Sequence, residues 1–521
     1  MVPHEEIRDW AGRWAQEWFI GPDGADRFQV GSISAGWATH VDAYEVLLRF
    51  ATRNLLAHPE RTVAGVLAGL KQRGLDRAVR AAGLRLQRAP GPCHHAASGR
   101  PAFVLEVPTP SMLDPALLTG RAVGEVAVAS ADPRAWRRLR SEGLRPVGLV
   151  VAWQRQRQLL AAAARQVADA RDALLRRPPS ITFRDRDMTR PVLDALSDLI
   201  GRSMPWVGPE QAAVAEFLEC VRPPAVVIAS DQHRIGRIVS QAAARRGISV
   251  VVLQHGLPQM RIGLLPVVAD LVATWSTDSH RWFAEHGTDP SRLAITGNPR
   301  LDALHGFDRE RARRGVSVQY GLNGTRRLLL ALSPASEQVN QAVAATVLEA
   351  AERLPDAVLI IKLHPGQGNW RFLHGQVRDS PARDRIRILR RAPLYPLLGW
   401  ASQTLLHRST VAVEALAARS PVVVVDAPRA RSGADLELAA LKPPRVTTAD
   451  ELVALARDVP DEESYFGPRT EAITRLVGPL DGASSARIAD LIRATTPSGG
   501  EFRQQSQSAA ASRGGRVFGG P

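Results

Sequence analysis

Residues 225–256 read AVVIASDQHRIGRIVSQAAARRGISVVVLQHG, and the fold assignment starts there. Ala225 to Ala229 is a short apolar run without alternation, Ile235 to Arg246 carries helical spacing, and Ser249 to Leu253 is a second apolar run. Uninterrupted apolar runs joined by a helix mark strands buried on both faces of a parallel sheet. The same pattern runs on through Leu271–Trp275, a helix at His280–His286 and Leu293–Thr296. Upstream it includes Phe103–Val107, Glu125–Ala129 and a run ending near Val151. After Gly297–Arg314, rich in Asn, Pro and Arg, it begins afresh with Leu328–Leu332, a helix through Leu354, and Ala357–Leu363. Ile386–Leu389, Thr404–Leu406, a helix from Thr410 and Val422–Val425 complete it. The expected fold class is α/β, with two Rossmann-like domains in series over residues 101–300 and 301–495.

Residues 1–100 show helical periodicity, as in Val41, Tyr44, Leu47 and Phe50 and again in Val63, Val66, Leu67 and Leu70, and read as a helical N-terminal extension. Trp153 to Arg177 reads as one long crossover helix. Residues 496–521 hold Ser, Gly, Gln, Ala and Arg with little apolar content and are expected to be disordered.

The 521 residues are 45% hydrophobic and 23% charged, the composition of a chain that buries a real core. Two cysteines, Cys93 and Cys220, cannot build a disulfide framework or a cysteine-rich metal site, which points to a reducing cytoplasm. No run is long enough to span a membrane, and the acidic start argues against a secretory signal. The net charge of +15 favours anionic partners, a nucleotide substrate or the inner face of an anionic membrane. The arginines are dispersed and no nucleic-acid motif accompanies them, so specific nucleic-acid binding is not expected.

The chemistry gathers at strand ends. Neither a GxGxxG fingerprint nor a Walker loop is present, so any phosphate must be held otherwise. In Leu405–Leu416 a strand runs into His407, Arg408, Ser409 and Thr410, where a hydroxyl at the helix start is expected to cap the helix and leave its first amides free for phosphate. Glu414, one turn further, suits a ribose diol. Ile361–Gly366 delivers Lys362 and His364 at a second strand end, with Pro365 and Gly366 turning the chain. In the preceding domain, Val251–Pro258 ends in Gln254, His255 and Gly256, and Ile228–His233 carries Asp231. A histidine and an aspartate at adjacent strand tips suit a general base and its partner. For the two His-bearing strand ends and the Ser/Thr pair, the plainer alternatives are ordinary capping and loop hydrogen bonds.

Taken in order, Leu253–Gly256, Thr296–Asp302 (with Asn298 and Arg300), Lys362–Pro365, His407–Thr410 with Glu414, and Asp481–Ile488 resemble the GT-B glycosyltransferases of bacterial surface polysaccharides. Those families are capsule Kdo transferases, polysialyltransferases and teichoic acid glycerophosphotransferases; the nucleotide-sugar 2-epimerases are more distantly similar. The resemblance covers roughly residues 225–495 and implies two Rossmann-like domains facing a cleft. It implies donor-phosphate binding by His364, Pro365, Ser409 and Thr410, supported by Lys362 and Arg408, and a base or acceptor role for His255. Gln254, Gly256, Asn298 and Arg300 then line or link the cleft. The implied reaction is transfer of a glycosyl or polyol-phosphate group from a CMP-, CDP- or UDP-linked donor to a surface-glycan or lipid-linked acceptor, with no cofactor and no metal. His407-Arg408 departs from the pattern, where many relatives carry acidic or small residues. A nucleotide-sugar epimerase or hydrolase, and a non-catalytic basic polyanion-binding protein, are the competing expectations.

Overall fold

The computed structural model describes residues 4–55, 99–105, 110–258, 261–333, 337–364, 370–407, 409–426, 438, 441–458 and 462–495. The periodic stretch Val63–Leu70, the tail, Pro365 and Arg408 lie outside the described residues.

The first of two compact units takes the chain up to Ala273, Trp282–Ala294 and everything from Ala486 onward. Its sheet has seven strands: β1 Ala102–Leu105, β2 Ala127–Ser130, β3 Val147–Gly148, β4 Ala225–Ile228, β5 Ser249–Leu253, β6 Leu271–Thr274 and β7 Leu293–Ile295. Their order is β7-β6-β5-β4-β1-β2-β3. The β4 and β5 strands run parallel with Ala225 opposite Ser249 and Ile228 opposite Val252, which brings their C-terminal tips side by side. Apart from Ser249 at the start of β5, these two strands are Val, Ile, Leu and Ala, and those residues are buried, as in strands covered on both faces. The crossover helix spans Trp153–Arg176.

The N-terminal segment belongs to this unit. Helices α1 His4–Glu17 and α2 His40–Leu55 flank a two-stranded hairpin, Gln29–Val30 with Ile33–Ser34, that the helical periodicity does not predict. Ile7, Trp18, Phe28 and Leu47 pack in the same hydrophobic cluster as Val226, Ile228 and Val250 of the sheet.

The second unit, Thr274–Arg281 and Ile295–Ser485, has six strands: β8 Arg326–Ala331, β9 Ala357–Lys362, β10 Ile386–Leu389, β11 Gln403–Leu406, β12 Val422–Val425 and β13 Arg445–Val446. The order β10-β9-β8-β11-β12-β13 and the parallel pairing throughout are those of a doubly wound sheet. Strand order reverses between β8 and β11, and open α/β sheets place ligands beyond the carboxyl ends of strands at such a reversal. The last helix runs over Ser484–Ala494, as its sequence suggests. Its residues from Ala486 onward return to the first unit, where Ile488 and Ile492 pack among Phe103, Leu105, Val251 and Leu253.

Among the described residues no helix is long and apolar enough to cross a membrane.

Candidate active site

In the first unit the tips of β4 and β5 form a small pocket. Its lining includes Ser230, Asp231, Gln254, His255, Val267 and Phe283. His255 Nδ1 lies 2.8 Å from the carbonyl oxygen of Ala229, and because a carbonyl can only accept, Nδ1 carries the hydrogen and Nε2 the lone pair. Burial, with a smaller contribution from His233, pushes the His255 pKa down to about 4, so the ring is neutral at neutral pH. Neutral imidazole with its second nitrogen fixed by an acceptor is the form a general base requires.

Asp231 is placed differently. Its Oδ2 accepts from the backbone amides of Val268 at 2.6 Å and Ala269 at 2.8 Å, and its Oδ1 accepts from Gln232 Nε2 at 2.8 Å. The carboxylate ties the tip of β4 to the segment before β6. Gln254 donates through Nε2 to the Gly256 carbonyl at 2.9 Å, which shapes the turn after β5. Helix α4, Arg234–Ala244, closes on the β4 tip because residue 236 is glycine: a Cβ there would lie 1.8 Å from the Ser230 carbonyl oxygen.

In the second unit the strand ends at the reversal carry Ser333 after β8 and His407 after β11. Ser333 Oγ donates to the His407 carbonyl at 3.2 Å, joining the two tips. His407 is buried, with Nδ1 2.9 Å from the Val425 carbonyl oxygen. Ser333 was not singled out from sequence, although its position just past a buried strand is the signal that could have found it.

Of the two hydroxyls expected to cap the helix it is Ser409 that does so, and the expectation of free first-turn amides is corrected. Helix α5, Val411–Ala417, is only seven residues long, and its N-cap Thr410 has helical dihedrals and makes no side-chain cap bond. Ser409 Oγ instead accepts from the Val411 amide at 3.3 Å. The next two amides, of Ala412 and Val413, find the carbonyls of Ser409 and Thr410. The first-turn amides are therefore used within the turn, and the groups this segment can offer a phosphate are the half-buried Ser409 and exposed Thr410 hydroxyls. Lys362 also differs from expectation. Its Nζ donates to the carbonyls of Leu363 at 2.9 Å and Arg390 at 3.0 Å, bridging the ends of β9 and β10. His364 is half-buried, and burial and the neighbouring Lys362 ammonium both lower its pKa.

Glu414 points into the protein, 3% exposed, with Oε1 2.6 Å from Arg300 Nη1 and Oε2 without a hydrogen-bond partner. Burial raises its pKa while Arg300 opposes the rise. Arg300 sits on a short 3₁₀ helix, Pro299–Leu304, capped by the buried Asn298, whose Oδ1 accepts from the Arg300 amide at 3.1 Å. Two residues on, Asp302 accepts from the amides of Ser484 at 2.9 Å and Ser485 at 2.8 Å and so caps the last helix. The segment Asn298–Asp302 thus joins the Glu414 helix to the motif at Asp481–Ile488. Sequence reading had set Asn298 and Arg300 aside as cleft or linker residues.

Among the described residues no cluster of three or more His, Cys, Asp or Glu could hold a metal ion.

No protein-family model matches the sequence, and neither does any curated protein. Solved structures match in fold. The S. aureus MnaA–UDP complex aligns with a TM-score of 0.50 at 13% identity, over 76% of this chain and 96% of that one. The glycotransferase of kitacinnamycin aligns with a TM-score of 0.47 at 15% identity, over 77% and 100% of the two chains. UDP-GlcNAc 2-epimerase from Neisseria meningitidis, bound to UDP-GlcNAc, aligns with a TM-score of 0.44 at 12% identity, over 76% and 99%. At such identities the likeness is one of architecture. Two Rossmann-like units built on parallel sheets are the architecture this chain shares with the MnaA structure.

Proposed function

We propose that the protein is a nucleotide-sugar enzyme that transfers a glycosyl or polyol-phosphate group from a nucleotide-activated donor to a surface-glycan or lipid-linked acceptor. The observation that carries the reading is the strand order of the second sheet. Its reversal point is flanked by Ser333 and His407, with Glu414 one short helix away and Lys362 and His364 one strand over. In this reading the Ser409 and Thr410 hydroxyls and His364 donate to the phosphates, while Glu414, buried and paired with Arg300, anchors their helix rather than reaching a ribose. Lys362 adds positive charge while bridging two strand ends, and Arg408 and Pro365 belong to the same two motifs.

The reacting proton goes to the first unit's pocket. The acceptor hydroxyl gives its proton to His255 Nε2 as its oxygen forms the new bond to the sugar carbon or phosphorus. The bond from that centre to the donor's phosphate oxygen breaks, and the nucleotide leaves with that bond's electron pair on its phosphate. Asp231, with three N–H groups on its carboxylate, holds the pocket rather than moving the proton. A lipid-linked acceptor and the +15 charge go together with peripheral association at an anionic membrane.

A second reading is epimerisation or hydrolysis of the nucleotide sugar, because the same neutral imidazole can take a proton from a sugar carbon or from water. Calorimetry with CMP, CDP, UDP and GDP and their sugars tests nucleotide binding, and no heat with any of them at millimolar concentration refutes the reading. Turnover of a bound donor without acceptor, followed by NMR, selects the epimerase or hydrolase. Acceptor-dependent release of nucleotide selects the transferase.

A further inference from the structure

The mechanism leaves one buried charge unused. Arg237, on the inner face of α4, is 4% exposed, and among the described residues no carboxylate bonds it directly. Its Nη2 donates to Gln232 Oε1 at 2.7 Å, and the other end of that amide donates to Asp231 Oδ1 at 2.8 Å and to the Pro266 carbonyl at 2.6 Å. Arg237 and Asp231 are thus a buried ion pair bridged by a glutamine side chain. Asp231 in turn holds the amides of Val268 and Ala269. The loop so fixed begins at Ala229, whose carbonyl orients His255.

The cover over this charge comes from the N-terminal segment, which the family resemblance leaves unexplained. The Arg237 guanidinium lies 5.4 Å from the ring centre of Trp37. Trp37 is set by Phe19, its ring edge-on at 5.3 Å, and by Asp26, which accepts from the Trp37 amide at 3.1 Å. Gln241, one turn along α4 from Arg237, accepts from the Ser34 amide at 3.1 Å. The segment is therefore bonded along α4 and excludes water from the guanidinium. A buried charge whose counter-ion is reached through an amide depends on such exclusion, because water entering would compete for each bond in the chain.

We infer that Arg237 is the positioning residue of the His255 pocket and that residues 26–40 are a working part of that pocket, with Trp37 as its cover. This rests on the reading of His255 as the base, but its central test does not use activity. The groups facing His255 are Asp231 and His233 from the β4 tip and, behind them, Arg237 from α4 and His40 from the N-terminal segment. On the opposite wall Leu264, Val267, Val272 and Phe283 carry no charge. Loosening the relay hydrates the pocket and lets the imidazole pKa climb from about 4 toward the unperturbed value near 6.5.

The experiment is an NMR titration of the histidine rings in the full-length protein, with His255 assigned by His255→Asn, alongside kcat and donor KM as functions of pH. Arg237→Met and Trp37→Ala are expected to raise the His255 midpoint by about one unit or more. They should lower kcat about tenfold, a fraction of the ~10²–10⁴ a general base supplies in full, with little change in donor KM. Trp37→Phe, which keeps a ring over the guanidinium, should titrate as the wild type does. An unchanged His255 midpoint in folded Arg237→Met overturns the inference. If that variant fails to fold, identical midpoints for Trp37→Ala and Trp37→Phe overturn it. Full activity in His255→Asn would refute the base reading while leaving the titration to judge the positioning.

Discussion

Arg300 and Glu414 form an ion pair at 2.6 Å that joins the short helix after Asn298 to the helix after Thr410. Removing one partner of a buried pair strands the other, at a cost of about 3–5 kcal/mol in full burial. Here the Arg300 side chain keeps 20% of its exposure, so Glu414→Gln should cost less than that. A double-mutant cycle with Arg300→Met and Glu414→Leu, read by denaturant unfolding, should give a coupling of about 0.5–3 kcal/mol. Strict additivity would mean the pair contributes nothing beyond its separate residues.

The pH profile follows from His255. Its native pKa of about 4 lies below the unfolded value near 6.5, so the base stays competent well into the acid range. The acid limb of kcat/KM should therefore fall near pH 4. The unfolded chain takes up this proton first, so the contribution to stability is whole above about pH 6.5 and is lost as pH falls toward 4. A rate that declines with a midpoint at 6.5 would contradict the neutral, dry environment of the ring.

Asp26 works in the opposite direction. Burial raises its pKa to about 7, against the lowering effect of backbone amides from Phe28, Trp37 and Gly36. A carboxyl with a raised native pKa favours folding at low pH, and that advantage erodes as pH rises from about 4 through 7. Relative to Asp26→Asn, a comparison in which the histidine contributions cancel, the wild type should be more stable at pH 5 and lose that advantage as pH rises toward 8. An identical slope in the variant would place the titration elsewhere.

Asp302 caps the last helix with both oxygens. Asp302→Ala should destabilise the fold by about 1–2 kcal/mol, the range for loss of an N-cap, and Asp302→Asn, which keeps one acceptor, should recover part of it. Unfolding midpoints measure both, and no loss in the alanine variant would sink the cap.

What was legible in the sequence was what depends on local chemistry. Runs such as Val250–Leu253 and Leu359–Ile361 are apolar on both faces and became strands of parallel sheets. The start of the last helix is legible because Asp481-Gly482 turns the chain just ahead of it, the Asp481 carboxylate accepting from the Ala483 amide at 3.0 Å. What failed depends on partners that spacing does not reveal. Period-two alternation places Lys362 on a face, but two carbonyls at the sheet edge capture its ammonium. Which of Ser409 and Thr410 bonds the turn depends on dihedrals. Asp302 serves amides 182 residues away. Arg237 reads as one of many helix arginines until a tryptophan 200 positions earlier in the chain covers it.

The return of the last helix to the first sheet has a consequence for synthesis. Ile488 and Ile492 complete a layer whose other members include Phe103, Leu105 and Leu117. The half of the protein that leaves the ribosome first therefore cannot close its core until nearly the whole chain has been translated. A premature stop shortly before Ser484 would spare every strand of both sheets, yet the damage would fall on the sheet encoded hundreds of codons upstream.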